Sequence, residues 1–356
     1  MKITLFTSLA LSFAFFLSSC SKNNENGPSA TATPSEVISG YVESVVLPNL
    51  KDLNEKATQM NTSIDAFIAD KTQANLDAAR QNWLATRVAW EQSEAMLFGP
   101  VEDNNFDPRI DSWPVDFNAI QQVWNGSDEF TQPYINNLAD ELKGFHPIEF
   151  ILFGQNGDAK PEDFTNQREI DYLQAMSLNL KSITDSLYTD WTPEGDNFAN
   201  ELLTAGSGSQ KYTSQKAALI EIANAMIGII GEVGDSKLKQ PFLAQDPTQA
   251  ESPFSKNSFT DFKNNITGAQ NVYLGRYGNS QGVSLSAFTA LYNKDLDTRI
   301  KAQLSEVVSN LGGYDVTYGE AIVGKRSQVQ ASMDLTASLQ NILETELIPL
   351  IQLHAE

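Results

Sequence analysis

Apolar residues recur at spacings of three and four along nearly the whole chain, as they do in helices with one buried face. Val37, Ile38, Tyr41, Val42, Val45, Val46 and Leu50 predict a helix that begins near Ser35. Leu76, Ala79, Trp83, Leu84, Val88 and Trp90 predict a second, from about Gln73 to the break at Gly99-Pro100. Residues 100–114 read as an irregular acidic loop. Short helices are expected over 115–124 and 128–142, then one over 147–153 that stops at Gly154. A long helix is expected from Pro161 to Tyr188, and another over 211–232. A proline-bearing loop, 241–257, precedes helices at 258–275, 284–291, 295–310 and 317–352. No stretch alternates convincingly with the period of a strand, so the expected fold is all-α. A faint repeat underlies the pattern. The helix ending Leu97-Phe98-Gly99 has a counterpart ending Tyr273-Leu274-Gly275, and each follows a long amphipathic helix. Two helical-bundle halves facing each other, 35–205 and 206–356, would produce this; so would chance likeness between amphipathic helices.

The N-terminus changes the picture of where such a domain sits. Met1-Lys2 is followed by an apolar run from Leu5 to Leu17, of signal-peptide length and too short to span a bilayer. It closes at Leu17-Ser18-Ser19-Cys20, and Cys20 is the only cysteine. This resembles a bacterial lipobox, which implies a signal peptide over 1–19, cleavage before Cys20 and lipid attachment there. The segment 20–34 is rich in Asn, Ser, Thr, Gly and Pro and reads as a flexible tether. The expectation is a lipid-anchored domain of the bacterial envelope, on the outer membrane and facing the periplasm, held by its lipid and by no internal disulfide. The formal charge of −21 disfavours nucleic acid and anionic lipid as partners and attracts cations.

The candidate chemistry lies in three segments. In Gly144-Phe145-His146-Pro147-Ile148-Glu149, Pro147 suits a first helical turn and biases His146 toward the cap. His146 and Glu149 then lie one turn apart near one face. A histidine on an apolar helix is either a satisfied core residue or a ligand. Arg87, Glu91 and Glu94 share a stripe beside Trp83 and Trp90, either as an exposed ion pair or as buried acids that need an arginine or a metal. Asp111-Ser112-Trp113-Pro114 supplies a turn former or a further carboxylate. In the second half, Ser258 reads as an N-cap with Asp261 in the first turn. Asn264 and Asn265, near Tyr273, are unusual inside a helix. His354, close to the C-terminus, reads as incidental.

Gly144-x-His146-x-x-Glu149 before an apolar helix resembles the signature of the imelysin-like proteins, named for an insulin-cleaving metalloproteinase. Arg87-x-x-Trp90 with Glu94, Phe98-Gly99-Pro100, Asp111-Ser112-Trp113-Pro114, and Asp261 with Asn265 and Tyr273-x-Gly275 resemble further blocks of that family, in family order across about 36–352. The resemblance implies two helical halves with a site at their interface, envelope location and a link to iron acquisition.

A usual zinc peptidase needs two histidines one turn apart, a third ligand and a glutamate that activates water. Phe150 stands where the inverted motif would place its second histidine. One imidazole with several carboxylates suits iron better, with zinc or calcium as alternatives. The inventory favours a binding protein over an enzyme and leaves the enzyme question open. His146, Glu149, Glu94 and Asp111 are its expected metal ligands. Arg87, Trp90, Glu91, Gly144, Ser112, Asp261, Asn265 and Tyr273 are expected to support them. The expected cargo is an iron ion or small iron chelate, with haem ranked lower, and an iron-uptake membrane protein is the expected partner. A zinc-type metallopeptidase and an interaction lipoprotein with a vestigial site are the alternatives.

Overall fold

Side-chain caps set where the main helices begin. Thr33 and Glu36 form a capping box at the start of Pro34–Tyr41. Oγ1 of Thr72 accepts from the Asn75 N–H at the start of Gln73–Ser93, and Oγ of Ser214 accepts from Ala217 at the start of Gln215–Glu232. The computed structural model describes residues 32–355, and these are helical apart from turns and one hairpin. The expected signal peptide, Cys20 and most of the expected tether lie outside the described residues.

Proline does not end these helices where a π turn precedes it. The first helix runs on well past Leu50, through a π turn at Val42–Val46 into Leu47–Ala69 with Pro48 in its first turn. Leu343–Leu347 precedes Pro349 in the same way, and Val233–Lys237 precedes Lys239–Ala244, which contains Pro241. A proline ring clashes with the carbonyl four residues back, and a widened turn accommodates it.

Several boundaries differ from the sequence expectation for local reasons. The acidic stretch 100–114 holds two short helices, Pro100–Asp103 and Phe106–Asp111, separated at Asn105 in a left-handed conformation. Neither is long enough to show a 3.6-residue period. The helix expected from Pro161 starts at Gln167, where Asn166 caps it; Pro161 belongs to a separate 3-10 turn. The stretch 241–257 includes helical residues to Ala244, and 317–352 breaks at Lys325. Arg276–Tyr277 and Ser280–Gln281 form a small antiparallel hairpin, too short for alternation to register.

Leu47–Ala69 packs against Gln73–Ser93 and Gln167–Trp191. Further on, Gln215–Glu232, Ser258–Leu274, Lys294–Leu311 and Arg326–Ile342 pack together. Ser258–Leu274 lies directly on Gln73–Ser93. Gly268 allows that closeness: a Cβ there would stand 2.3 Å from the Gln92 carbonyl oxygen. The two helices singled out by the faint repeat thus meet face to face, and polar residues are buried between them.

Candidate metal centre

Five segments converge on one buried polar cluster. Gln73–Ser93 contributes Arg87, Trp90 and Glu91, and the 3-10 turn after it Glu94. Phe106–Asp111 ends in Asp111. Phe145–Phe153 brings His146 and Glu149, the π turn brings Lys237, and 251–265 brings Glu251, Ser252, Asp261 and Asn265. All of these side chains are shut off from solvent: every residue just named is at most 4% exposed.

The local sequence explains how the cluster forms. Gly144 has φ +83°, and a Cβ would fall 2.2 Å from the Ile110 carbonyl oxygen. Only glycine lets the His146 helix start this close to the end of the Asp111 helix. Gly144 is the N-cap and Phe145 the first helical residue, so His146 lies inside the first turn and not at the cap. Pro147 follows, where no intrahelical donor is lost. On the opposite wall Ser252 sits at φ +48°, turning Glu251 inward. Ser258 is the first residue of its helix and not the N-cap; its hydroxyl donates to the Glu251 carbonyl and pins the loop.

Arg87 is the hub. Its Nη1 pairs with Oδ1 of Asp111, and its Nη2 pairs with Glu91 and lies 2.7 Å from Oε1 of Glu251 and 3.5 Å from Oδ2 of Asp261. Trp90 donates to Oδ2 of Asp111 at 2.6 Å. His146 lies between two acids. Its Nε2 is 2.8 Å from Oδ1 of Asp111, in charge contact but without hydrogen-bond alignment, and Nδ1 is 3.2 Å from Oε2 of Glu149. The other oxygen of Glu149 accepts from the Ser255 N–H and hydroxyl, both at 2.7 Å. Nζ of Lys237 is 2.9 Å from Glu94, 3.2 Å from Glu251 and 3.5 Å from Glu91. Asn265 donates to both Glu91 and Glu94. Trp113, half-buried, lies over the outer side, its ring 6.1 Å from that of His146 and 5.3 Å from Nζ of Lys237.

The donor set is oxygen-rich and short of positive charge. Six buried carboxylates (Glu91, Glu94, Asp111, Glu149, Glu251 and Asp261) face Arg87, Lys237 and one imidazole. Nε2 of His146, Oε2 of Glu251, Oε1 of Glu91 and Oδ2 of Asp261 make charge contacts without hydrogen-bond alignment, to Asp111, Lys237, Arg87 and Arg87 in turn, while Oδ1 of Asn265 and Oγ of Ser252 have no hydrogen-bond partner. Buried carboxylates need compensating positive charge, and this surplus of acids over cationic side chains suits a bound cation. Two triads have ligand atoms within 4.8 Å of one another: Asp111, His146 and Glu251, and Glu91, Glu94 and Asp111. These residues therefore fit a metal ion.

The expected site residues are mostly gathered here, with changes of position. Asp111, His146, Glu94, Glu91, Arg87, Trp90, Asp261 and Asn265 meet. Glu149 meets Nδ1 of His146, at the opposite ring nitrogen from Asp111. Glu251 stands where Glu149 was expected. Ser112 donates back to the Pro108 carbonyl, and Tyr273 donates to Asp297, away from the cluster. His354 stacks on Tyr292, ring centroids 3.9 Å apart. Sequence reading missed Lys237, Glu251 and Ser252.

Protons take up part of the charge imbalance in the cluster. Burial raises Glu94 to about 8 despite Lys237, and it raises Glu91 and Asp261 as well. Burial would lower His146, but its contacts with Asp111 and Glu149 outweigh that and raise it to about 9. Asp111 is driven the other way: Arg87 and His146 overcome its burial. Groups whose folded pKa is raised stabilise the fold in full below their ordinary values and lose that contribution as pH climbs through the folded ones. For Glu94 the window is 4.5 to about 8, and for His146 6.5 to about 9. Asp111 has the opposite sign, but acts only below its ordinary 3.8. The metal-free protein is therefore expected to melt at a progressively lower temperature from pH 6.5 to 9. Circular-dichroism melts in matched buffers check this, and a flat or rising melting temperature over that range counts against it.

Comparison with known proteins places this geometry in context. The family model described as imelysin matches residues 46–346. Iron-regulated protein A of Synechococcus elongatus is 29% identical over 341 residues, covering 92% of this chain and 89% of that one. A solved structure from Parabacteroides distasonis, of a candidate iron-regulated protein A precursor, superposes with a TM-score of 0.80 at 27% identity, covering 88% of this chain and 94% of that one. An imelysin-like protein from Psychrobacter arcticum shares the fold with a TM-score of 0.73 at 14% identity, over 90% and 95% of the two chains.

Proposed function

The chain belongs to the imelysin family, and from that premise we propose that it binds an iron ion, as cargo, at the buried cluster around His146. One observation carries this reading. His146, Asp111 and Glu251 place one ligand atom each within 4.8 Å of one another, all three residues buried, and Nε2 of His146 meets Oδ1 of Asp111 without a hydrogen bond. An imidazole with two carboxylates is a donor set that suits ferrous iron; zinc and calcium are the competing ions. The iron-regulated naming of two relatives supports iron among these.

In this reading His146, Asp111 and Glu251 hold the ion. Glu149 fixes the ring of His146, Arg87 and Trp90 fix Asp111, and Ser252 turns Glu251 inward. Glu94 and Glu91 add negative charge at the second triad. A bound dication displaces the proton of His146 and offsets the surplus of carboxylates. The burial of all these side chains favours a small ion over a polypeptide, and so favours binding over peptidase chemistry. A small chelate is the bulkiest cargo compatible with that burial, and haem is ranked lowest. We further propose that the protein is exported and lipid-anchored through Cys20, with its domain in the periplasm, and that it passes iron to an uptake protein in the membrane.

Anaerobic titration of the purified chain with ferrous iron tests the core of this proposal. The expected result is saturable uptake of one equivalent per chain, reduced by competing zinc. Absence of saturable uptake of ferrous iron overturns it.

A further inference from the structure

The second triad is already filled from within the chain. Glu91, Glu94 and Asp111 bring carboxylate oxygens within 4.8 Å of one another, as a metal site requires. The ammonium of Lys237 lies against this group, 2.9 Å from Glu94 and 3.5 Å from Glu91, and 3.2 Å from Glu251. Lys237 is 1% exposed, and it comes from the π turn Val233–Lys237, a helical irregularity frequent at functional sites. The pocket is not saturated by it. Oδ1 of Asn265 is buried without a hydrogen-bond partner, although Asn265 donates to Glu91 and Glu94 through its nitrogen.

We propose that Lys237 is a built-in cation occupying a second metal subsite formed by Glu91, Glu94 and Asp111, so that the chain takes one metal ion where its carboxylates are arranged for two. Asp111 belongs to both triads, so the two subsites share it. An ammonium carries half the charge of a divalent ion, and six carboxylates surround the pair. A dication in place of the ammonium brings the centre closer to neutrality, which is the condition buried charges require. The lysine therefore sets the stoichiometry; it touches the His146 triad through Glu251 alone, and the imidazole of that triad stays available to cargo. This second subsite presupposes the metal-binding reading above.

The test is metal stoichiometry in full-length protein. Parent, Lys237→Met, Lys237→Gln and Lys237→Arg chains are dialysed anaerobically against ferrous chloride, and bound iron is quantified per folded chain. The expected result is one equivalent for the parent and Lys237→Arg, and two for Lys237→Met or Lys237→Gln. The glutamine variant keeps a hydrogen-bonding group beside Glu94, so the measurement stands if the methionine variant does not fold. If the parent binds one ion and the folded neutral variants also bind one or fewer, Lys237 does not occupy a metal subsite, while the metal-binding reading survives. If neither parent nor variants bind iron, both fall together.

Discussion

His146→Ala is expected to lower the affinity for ferrous iron by roughly 100-fold or more while leaving a folded, helical protein. The imidazole is the only nitrogen donor in the cluster, and its Nε2 is buried without a hydrogen bond. The chain's other histidine is stacked on Tyr292 and cannot replace it. Losing an orienting partner of a ligand typically costs 10–100-fold in affinity, and losing the ligand itself costs at least the upper end of that range. Glu149→Gln supplies the comparison. Glu149 touches the ring only through Nδ1 and is itself held by Ser255. It is expected to fall within the 10–100-fold range, above the His146→Ala affinity. Anaerobic calorimetry on parent and both variants reads the difference. Equal affinities in parent and His146→Ala would remove His146 from the ligand set and with it the proposed site.

Much of the fold is legible because helices write their burial into the spacing of apolar residues. Gln73–Ser93, Gln215–Glu232, Ser258–Leu274 and Lys294–Leu311 all lie close to where periodicity places them. Short or interrupted elements are not legible in this way. Phe106–Asp111 is under two turns long, and the π turns shift the register of the pattern they interrupt. The candidate site shows the same division. His146, Arg87 and Asp111 stand out because they sit beside signals of another kind: a glycine, a proline, tryptophans. Lys237 has no such signal. It lies between Asp235 and Lys239, which pair with each other at the surface, and nothing in the composition marks the middle residue as buried. Glu251 stands ahead of Ser252-Pro253 in what reads as a loop, and its inward turn depends on a left-handed Ser252. Tyr273 was misplaced by helix geometry. It follows Asp261 by twelve residues, a rotation of about 120° around the helix, whereas Asn265 is displaced by only about 40°. Asp261 and Asn265 therefore face the cluster, and Tyr273 faces Asp297.

Arg87→Met is expected to destabilise the protein more than any other single change in the centre, by about 3–5 kcal/mol. The guanidinium lies dry between aromatic rings, 5.0 Å from Phe145 and 5.9 Å from Trp83. Its two terminal nitrogens contact Asp111, Glu91 and Glu251, with Asp261 at 3.5 Å. Burial disfavours the charge of Arg87, but the four acids restore it, led by Asp111. Methionine fills a similar volume and leaves those acids with only Lys237 and His146 for compensation. Removing one partner of a buried charge pair is costly because the other remains unpaired. Arg299 marks the contrast: it pairs with Asp295 and Glu346 at the surface, and Arg299→Ala is expected to cost far less than Arg87→Met. The acids freed by Arg87→Met can accept protons, so the deficit should shrink as pH falls from 7.5 to 5.5. Arg87→Lys should lie between parent and Arg87→Met, because one ammonium cannot span Asp111 and Glu251 as the two nitrogens of the guanidinium do. Chemical-denaturation midpoints for the four chains at both pH values provide the check. A pH-independent loss below about 1 kcal/mol in Arg87→Met, the size of a surface pair, would mean that the cluster does not depend on this arginine for its charge balance.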